Sequence, residues 1–317
     1  MKKLIALTLI ALMLLGMTAC GTKAEEKKYT IGICQLVTHP ALDLATEGFK
    51  DAVKAKLGEE NVTFDLQIAA GDSNTCASIA NGFVAAEVDL IMANATAALQ
   101  AAQAATADIP ILGTSITEYG VALNIENFSG TVGGNVSGTS DLAPLDKQAE
   151  MLVEWFPNAK NVGLLYCAAE PNSKYQVDTV KAFLEDKGIT CELFPFADSN
   201  DMQAVTNAAC DFSDVIYVPT DNAVASSTDI IDGICRPAGV PIIAGEEGIC
   251  SGCGVATLSI SYYDLGYRTG EMAAAVLTGE SDISTMPIDY APPTPKYNAE
   301  ICAALGLTPL EGYEPIG

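Results

Sequence analysis

The sequence predicts an α/β fold of two doubly wound parallel-sheet lobes, because it runs nearly the same βα course twice. Thr30 to Leu36 (TIGICQL) is echoed by Asn161 to Cys167 (NVGLLYC), and Val62 to Ala69 (VTFDLQIA) by Ile189 to Phe196 (ITCELFPF). Asp89 to Ala95 (DLIMANA) is echoed by Asp214 to Thr220 (DVIYVPT), and Ile109 to Ser115 (IPILGTS) by Val240 to Glu246 (VPIIAGE), always in the same order. Each member is a short apolar, β-branched run of the kind buried in a parallel sheet, followed by a small or polar loop and usually a helical stretch. Ligands of such lobes bind beyond the carboxyl ends of the strands, so two lobes facing each other in that sense enclose one cleft. A clamshell is expected.

The elements follow in order along the chain. A strand near Tyr29 to Leu36 leads through VTHPALD into a helix from Leu42 to Leu57, with Gly58 as its stop. Val62 to Ala69 is the second strand, followed by a helix over 74–87, a strand at Leu90 to Asn94, a helix over 96–107 and a strand at Ile109 to Gly113. Between Gly120 and Leu142 the sequence turns glycine-rich and loses periodicity, as expected where a chain leaves one lobe for the other. Lobe two then holds helices over 145–156, 173–187, 201–209 and 223–236, interleaved with strands at 162–166, 190–196, 215–218 and 241–244. Gly254 to Ser261 reads as a further strand, and Asp264 to Leu277 (DLGYRTGEMAAAVL) as an amphipathic helix closed by Gly279.

The first residues indicate where this clamshell works. A basic start (Met1 to Lys3), an apolar run (Leu4 to Met17) and small residues around a cysteine (Thr18-Ala19-Cys20-Gly21) form a secretory signal, too short to span a membrane. In a bacterium this pattern resembles a lipoprotein signal cut before Cys20, whose thiol then carries lipid. Thr22 to Lys28 (TKAEEKK) is charged and lacks apolar side chains, so it reads as a solvated tether. The formal net charge of −24 repels phosphate backbones and anionic lipid, which argues against a nucleic-acid partner.

Ten cysteines are present, and setting Cys20 aside leaves an odd number that cannot all pair within one chain. Cys250 and Cys253 form the sole Cys-x-x-Cys, between glycines. A disulfide or a loose loop is expected there rather than a zinc or redox site, since the single histidine, His39, is far away in sequence. No G-x-S-x-G elbow, phosphate loop or histidine-rich cluster occurs in the sequence, so neither enzymatic activity nor a cofactor nor a metal is expected.

The order of elements resembles the type I periplasmic binding fold, in which three strands cross between the lobes. More narrowly, QLVTHPALD, GGNVSGTSD, EPNSKYQV, VPTDNAVAS and YYDLGYRTGEMAAAVLTG resemble the solute-binding lipoproteins of ABC importers of the tryptophan/tyrosine type. The resemblance implies a signal peptide over 1–19 and a tether over 20–28. It further implies lobe one over 29–139 plus 262–287 and lobe two over 140–261 plus 288–317. It also implies hinge closure over a ligand, ABC permease subunits as partners, and a lipid anchor on the outer side of the cell membrane through Cys20.

The strand ends give a separate reading of the ligand. Collected in one cleft they are Gln35, His39, Thr96, Ser115 and Thr117 from lobe one, with Asn172, Ser173, Asp221, Asn222, Glu246 and Glu247 from lobe two. Ser140 and Asp141 lie at a crossing, where they serve the hinge, the ligand or both. Thr96 and Ser173 sit where a loop becomes a helix, so helix N-termini there favour a carboxylate, and Asp221 can meet an ammonium. Such a cleft suits a zwitterion. For an importer the simplest is an amino acid, and the resemblance adds an aromatic side chain. Each residue has a duller role as well: Thr96 and Ser173 as N-caps, Asp221 and Asn222 as the start of a helix, His39 as a backbone partner, Glu246 as a loop charge. A ligand sensor serving a chemoreceptor or kinase, or a receptor for a sugar or nucleoside, is the alternative. The shortage of arginine, with only Arg236 and Arg268 present, argues against the sugar.

Overall fold

In the computed structural model, which describes residues 27–316, the two sequence courses become two separate sheets. The first course comprises β1 (Tyr29–Gln35), α1 (Pro40–Leu57), β2 (Val62–Ile68), α2 (Ser73–Ala85), β3 (Leu90–Asn94), α3 (Thr96–Ala105), β4 (Ile111–Ile116), α4 (Tyr119–Leu123) and β5 (Val136–Ser140). The second comprises α5 (Leu145–Trp155), β6 (Asn161–Cys167), α6 (Pro171–Asp186), β7 (Thr190–Phe196), α7 (Ser199–Phe212), β8 (Val215–Val218), α8 (Asn222–Ala225), α9 (Thr228–Ala238), β9 (Ile242–Ala244), α10 (Glu247–Cys253) and β10 (Ala256–Ser259). A shared tail follows with α11 (Tyr262–Thr278), β11 (Asp289–Tyr290), β12 (Thr294–Tyr297), α12 (Ala299–Ala304) and β13 (Glu314–Pro315).

Sheet one runs β2-β1-β3-β4-β5-β11 and sheet two runs β7-β6-β8-β9-β10-β12-β13. The first five strands of each obey one order, second-first-third-fourth-fifth, which is a doubly wound topology whose ligand edge lies at the strand carboxyl ends. The one antiparallel pairing among these strands is β10 with β12, and β13, parallel to β12, runs against the others as well. Alternate residues of sheet one serve opposite faces. Ile31, Ile33, Leu90 and Met92 pack with Phe49 and Val53 of α1 and Ala273 of α11, whereas Cys34, Ile91 and Ala93 pack with Leu99 and Ala102 of α3.

Local signals account for the helix ends. Pro40 opens α1 at a position whose N–H has no intrahelical partner, and Gly58 closes it with φ 88° while its N–H reaches the Lys54 carbonyl. The α1–α11 crossing is held tight by small residues. A Cβ added at Gly266 would stand 1.9 Å from the Ala45 carbonyl oxygen, and one at Gly48 would stand 2.1 Å from that of Tyr263.

Four features differ from the sequence expectation. The stretch 120–142 is not a structureless connection but holds the end of α4 and the whole of β5. Its strand, Val-Ser-Gly-Thr-Ser, lacks the branched apolar run that marks the others, because it lies so close to β4 that a Cβ on Gly138 (φ 145°) would meet the Gly113 carbonyl oxygen at 2.0 Å. The helix expected over 223–236 is two, α8 and α9. Cys250 and Cys253 are neither a loop nor a disulfide: they are buried free thiols one turn apart on α10. Finally, the chain leaves sheet one for the last time after Tyr290 rather than at 287, because Asp289 and Tyr290 pair with Thr139 and Ser140. That pairing also keeps Ser140 in sheet one, one residue past the expected boundary at 139. The crossings between sheets thus span 141–144, 260–261 and 291–293.

Candidate functional site

The carboxyl ends of the two sheets face each other across a narrow cavity with room for about one water. It is lined by His39, Leu42, Ser115, Thr117, Asp141 and Tyr262 on one side and by Asn172, Thr220, Asp221, Asn222, Ala225 and Glu246 on the other. Each side chain arrives by a local device. His39 is the N-cap residue of α1, held extended just before Pro40. Ser115 sits in a bulge where the register of β4 on β5 shifts, with φ 55°, a left-handed conformation that costs a non-glycine residue energy and turns its side chain out of the strand repeat. Asp141 comes from the first crossing and Tyr262 from the first residue of α11, just after the second, and they meet there, the Tyr262 hydroxyl donating to Asp141 Oδ2 at 2.8 Å.

The lobes touch across this cavity. His39 Nε2 lies 3.3 Å from Asn222 Oδ1. The direction of that bond is fixed by the next partner, because Asn222 Nδ2 donates to Glu170 Oε2 at 2.7 Å and so turns the amide oxygen toward His39. Nε2 therefore carries the proton. Burial holds the imidazole below its ordinary pKa, hence neutral, and Nδ1 is left as an acceptor with no partner.

Three other buried polar atoms on the cavity lining also lack partners: Ser115 Oγ, Asp141 Oδ1 and Asn172 Oδ1. The Asn172 amide is oriented like that of Asn222, its Nδ2 donating to the Thr220 carbonyl at 3.1 Å, so its oxygen is the free end. Three of the four unpaired atoms are thus acceptors, and leaving such groups buried and unpaired costs roughly 1–3 kcal/mol each. The surroundings are acidic. Burial raises Asp141 and Asp221 above the ordinary carboxylate range and raises Glu246 to about 7, while burial together with the Asp221 charge raises Glu170 to about 7. Neither lysine nor arginine lines the cavity. Chemically, the arrangement can accept hydrogen bonds from a small cation.

Of the residues the sequence singles out, His39, Ser115, Thr117, Asp141, Asn172, Asp221, Asn222 and Glu246 come together on this lining. The roles of Asp221 and Glu246 are architectural in large part. Asp221 caps α8, accepting from the Val224 and Cys167 amides at 3.0 and 2.7 Å, so both its oxygens are engaged and the free carboxylate oxygen is that of Asp141. Glu246 caps α10 through the Gly248 and Ile249 amides. Gln35, Thr96, Ser140 and Ser173 do not line the cavity. Gln35 ties β1 to α1, donating to Asp43 at 2.6 Å and accepting from Thr46 at 2.7 Å. Ser140 Oγ holds the first crossing by donating to the Thr117 carbonyl at 2.8 Å. Thr96 and Ser173 are not caps either, since the N-cap residues of their helices are Ala95 and Glu170.

Tyr262 and Glu170 were missed by sequence reasoning. Tyr262 is hidden in an amphipathic helix pattern, and Glu170 acts at a distance of 52 residues by accepting from the Asn222 and Ala223 amides at 3.1 and 2.9 Å. The EP pair opening α6 is the one local signal that marks Glu170 as an N-cap position.

Past Ala225, Glu246 and Tyr262, which line both spaces, lies a wider solvent-open groove with an apolar wall of Pro40, Leu44, Ile260 and Tyr263. Glu247 stands at its rim, paired with Lys296 at 2.8 Å. Among the described residues, no group of side chains could hold a metal ion, and no helix is long and apolar enough to cross a membrane.

Comparison with known proteins adds the following. Residues 30–308 match the family model described as ABC transporter substrate binding protein. The chain is 39% identical over 272 residues to a tyrosine-binding protein of Clostridioides difficile, a match covering 84% of this chain and 78% of that one. A domain from Streptococcus pneumoniae solved in complex with L-Trp is 31% identical, with TM-score 0.86, covering 92% of this chain and 100% of the other. The ligand-free, open structure of a substrate-binding protein with adhesive properties from Clostridium difficile is 38% identical, with TM-score 0.69 and coverage of 91% and 99%. The chain is therefore closer in sequence to the open structure and closer in shape to the L-Trp complex, in keeping with the His39–Asn222 bond that joins its two lobes.

Proposed function

This chain belongs to the ABC transporter substrate-binding protein family, and we propose that its cleft binds an α-amino acid with an aromatic side chain for delivery to a membrane permease. The observation that carries the reading is the convergence of His39 Nδ1, Asp141 Oδ1 and Asn172 Oδ1, three buried acceptors without partners, on one cavity. An ammonium group has three N–H donors and a positive charge, which answers all three atoms and the surrounding carboxyls at once. The Ser115 hydroxyl, also unpaired, is a donor for the ligand carboxylate. The apolar groove beyond Ala225 and Tyr262 gives the side chain somewhere to lie. Relatives that bind tyrosine or carry L-Trp support the aromatic choice.

In this reading the protein works outside the cytoplasm, performs no chemistry, and closes by bending the three crossings until His39 meets Asn222. Lobe one is β1 to β5 with α1 to α4, α11 and β11, and lobe two is the remainder. Cys20, outside the described residues, carries the lipid anchor; labelled palmitate incorporated by the natural chain and not by Cys20→Ser supports it.

The test is a calorimetric and thermal-shift panel of the twenty amino acids, common sugars and nucleosides on the mature protein. Binding restricted to aromatic amino acids is expected. A response to sugars or nucleosides alone overturns the ammonium argument.

A further inference from the structure

We propose that Cys210 of α7 and Cys235 of α9 are a redox-responsive pair that closes to a disulfide when the exported protein meets a small-molecule disulfide. The two helices pack side by side on the outer face of lobe two, away from the ligand cavity, and bring the two sulfurs to 3.4 Å. A bonded pair lies at about 2.05 Å, so they need approach by roughly 1.4 Å. Cys210 is partly exposed and Cys235 is buried, an arrangement in which one thiol meets the oxidant and the other resolves. The contact with Cys235 also holds the Cys210 thiol below its ordinary pKa, favouring the attacking thiolate. Oxidising surroundings outside the cytoplasm allow such a bond to persist.

The exchange balances. The Cys210 thiolate attacks one sulfur of oxidised glutathione, breaking its S–S bond and expelling one glutathione thiolate. The Cys235 sulfur, giving up its proton, then attacks Cys210 Sγ and expels the second. The protein dithiol is oxidised by two electrons, one glutathione disulfide is reduced to two thiols, and the two cysteine protons end on them.

A second pair, Cys34 of β1 and Cys76 of α2, shares one core cluster but is fully buried on both members, so it serves as an internal control that a soluble oxidant does not reach. The odd thiol count read from the sequence is no obstacle, because only one pair closes.

Reduced mature protein, incubated with oxidised glutathione, is digested with an aspartate-directed protease and mapped by mass. A Cys210–Cys235 cross-link, loss of two titratable thiols and a Tm rise of about 5–10 °C are expected, the rise following from closing a loop of this size in the unfolded chain. Cys210→Ser should leave Tm indifferent to the oxidant. Glutathione stranded on Cys210, pairing of other cysteines, or a full count of free thiols after treatment overturns the proposal, and none of these outcomes bears on the ligand site.

Discussion

Replacing Asp141 with asparagine separates a ligand-binding carboxylate from a merely structural one, because the two roles predict opposite signs. The carboxylate is buried, takes the Tyr262 hydroxyl on Oδ2 and leaves Oδ1 bare on the cavity. Burial raises its pKa, so without ligand the ionised form is a burden on the fold. Asparagine keeps the shape and can keep the Tyr262 bond through its oxygen, while its NH2 replaces the bare Oδ1 and turns a donor toward an ammonium that is itself a donor. The affinity loss is that of a hydrogen bond to a charged group, about 1.5–3 kcal/mol, or roughly 10- to 150-fold in Kd. The ligand-free protein gains, since an isolated charge is no longer held out of water. Calorimetric titration with an aromatic amino acid and a thermal melt of the ligand-free protein read both quantities. Unchanged affinity together with a lowered Tm would refute the assignment and make Asp141 a hinge brace for Tyr262.

Asn222→Ala removes the 3.3 Å bond across the lobes and the partner of Glu170, so ligand affinity should fall about 3- to 10-fold, and the ligand-bound protein should scatter X-rays with a larger radius of gyration than the ligand-bound natural protein. An unchanged radius would mean that this bond does not govern closure. Gly266→Ala forces a methyl group onto the Ala45 carbonyl oxygen at 1.9 Å and should destabilise the fold by about 3 kcal/mol, lowering Tm by about 6–12 °C, as a melt would show. For pH, Glu170 and Glu246 rise from an ordinary 4.5 to about 7, so the folded chain binds their protons more tightly than the unfolded chain does. Their contribution to ligand-free stability therefore falls as pH rises from about 4.5 through about 7 and levels off above. Denaturant melts across that window that rise instead would contradict the burial of these carboxyls.

The architecture was legible because burial in a parallel sheet leaves a compositional trace. Strands such as Leu90–Asn94 and Val215–Val218 are apolar on both faces and stand out in any reading. The crossings were less legible: β5 is built of small residues to fit against β4, and β11 is two residues held by pairing rather than by composition. Topology and the family resemblance together picked out candidate residues at strand ends, and His39, Asn172 and Asn222 among them line the cavity. Which of them have atoms to spare was not legible, since Gln35 and Asp221 look like ligand groups in sequence and have their polar atoms engaged by the protein.

The sequence by itself determined that there are two like lobes, that their strand ends carry polar residues, and that the chain is acidic. These depend on the order and hydrophobicity of neighbouring residues. Only the tertiary structure decided that Asp141 rather than Asp221 offers the free carboxylate oxygen, that Tyr262 lines the cavity and Glu170 orients Asn222, and that His39 and Asn222 join the lobes. Hydrogen bonds between residues 52 to 183 positions apart determine which lone pairs remain for a ligand, and no local pattern in the sequence encodes that count.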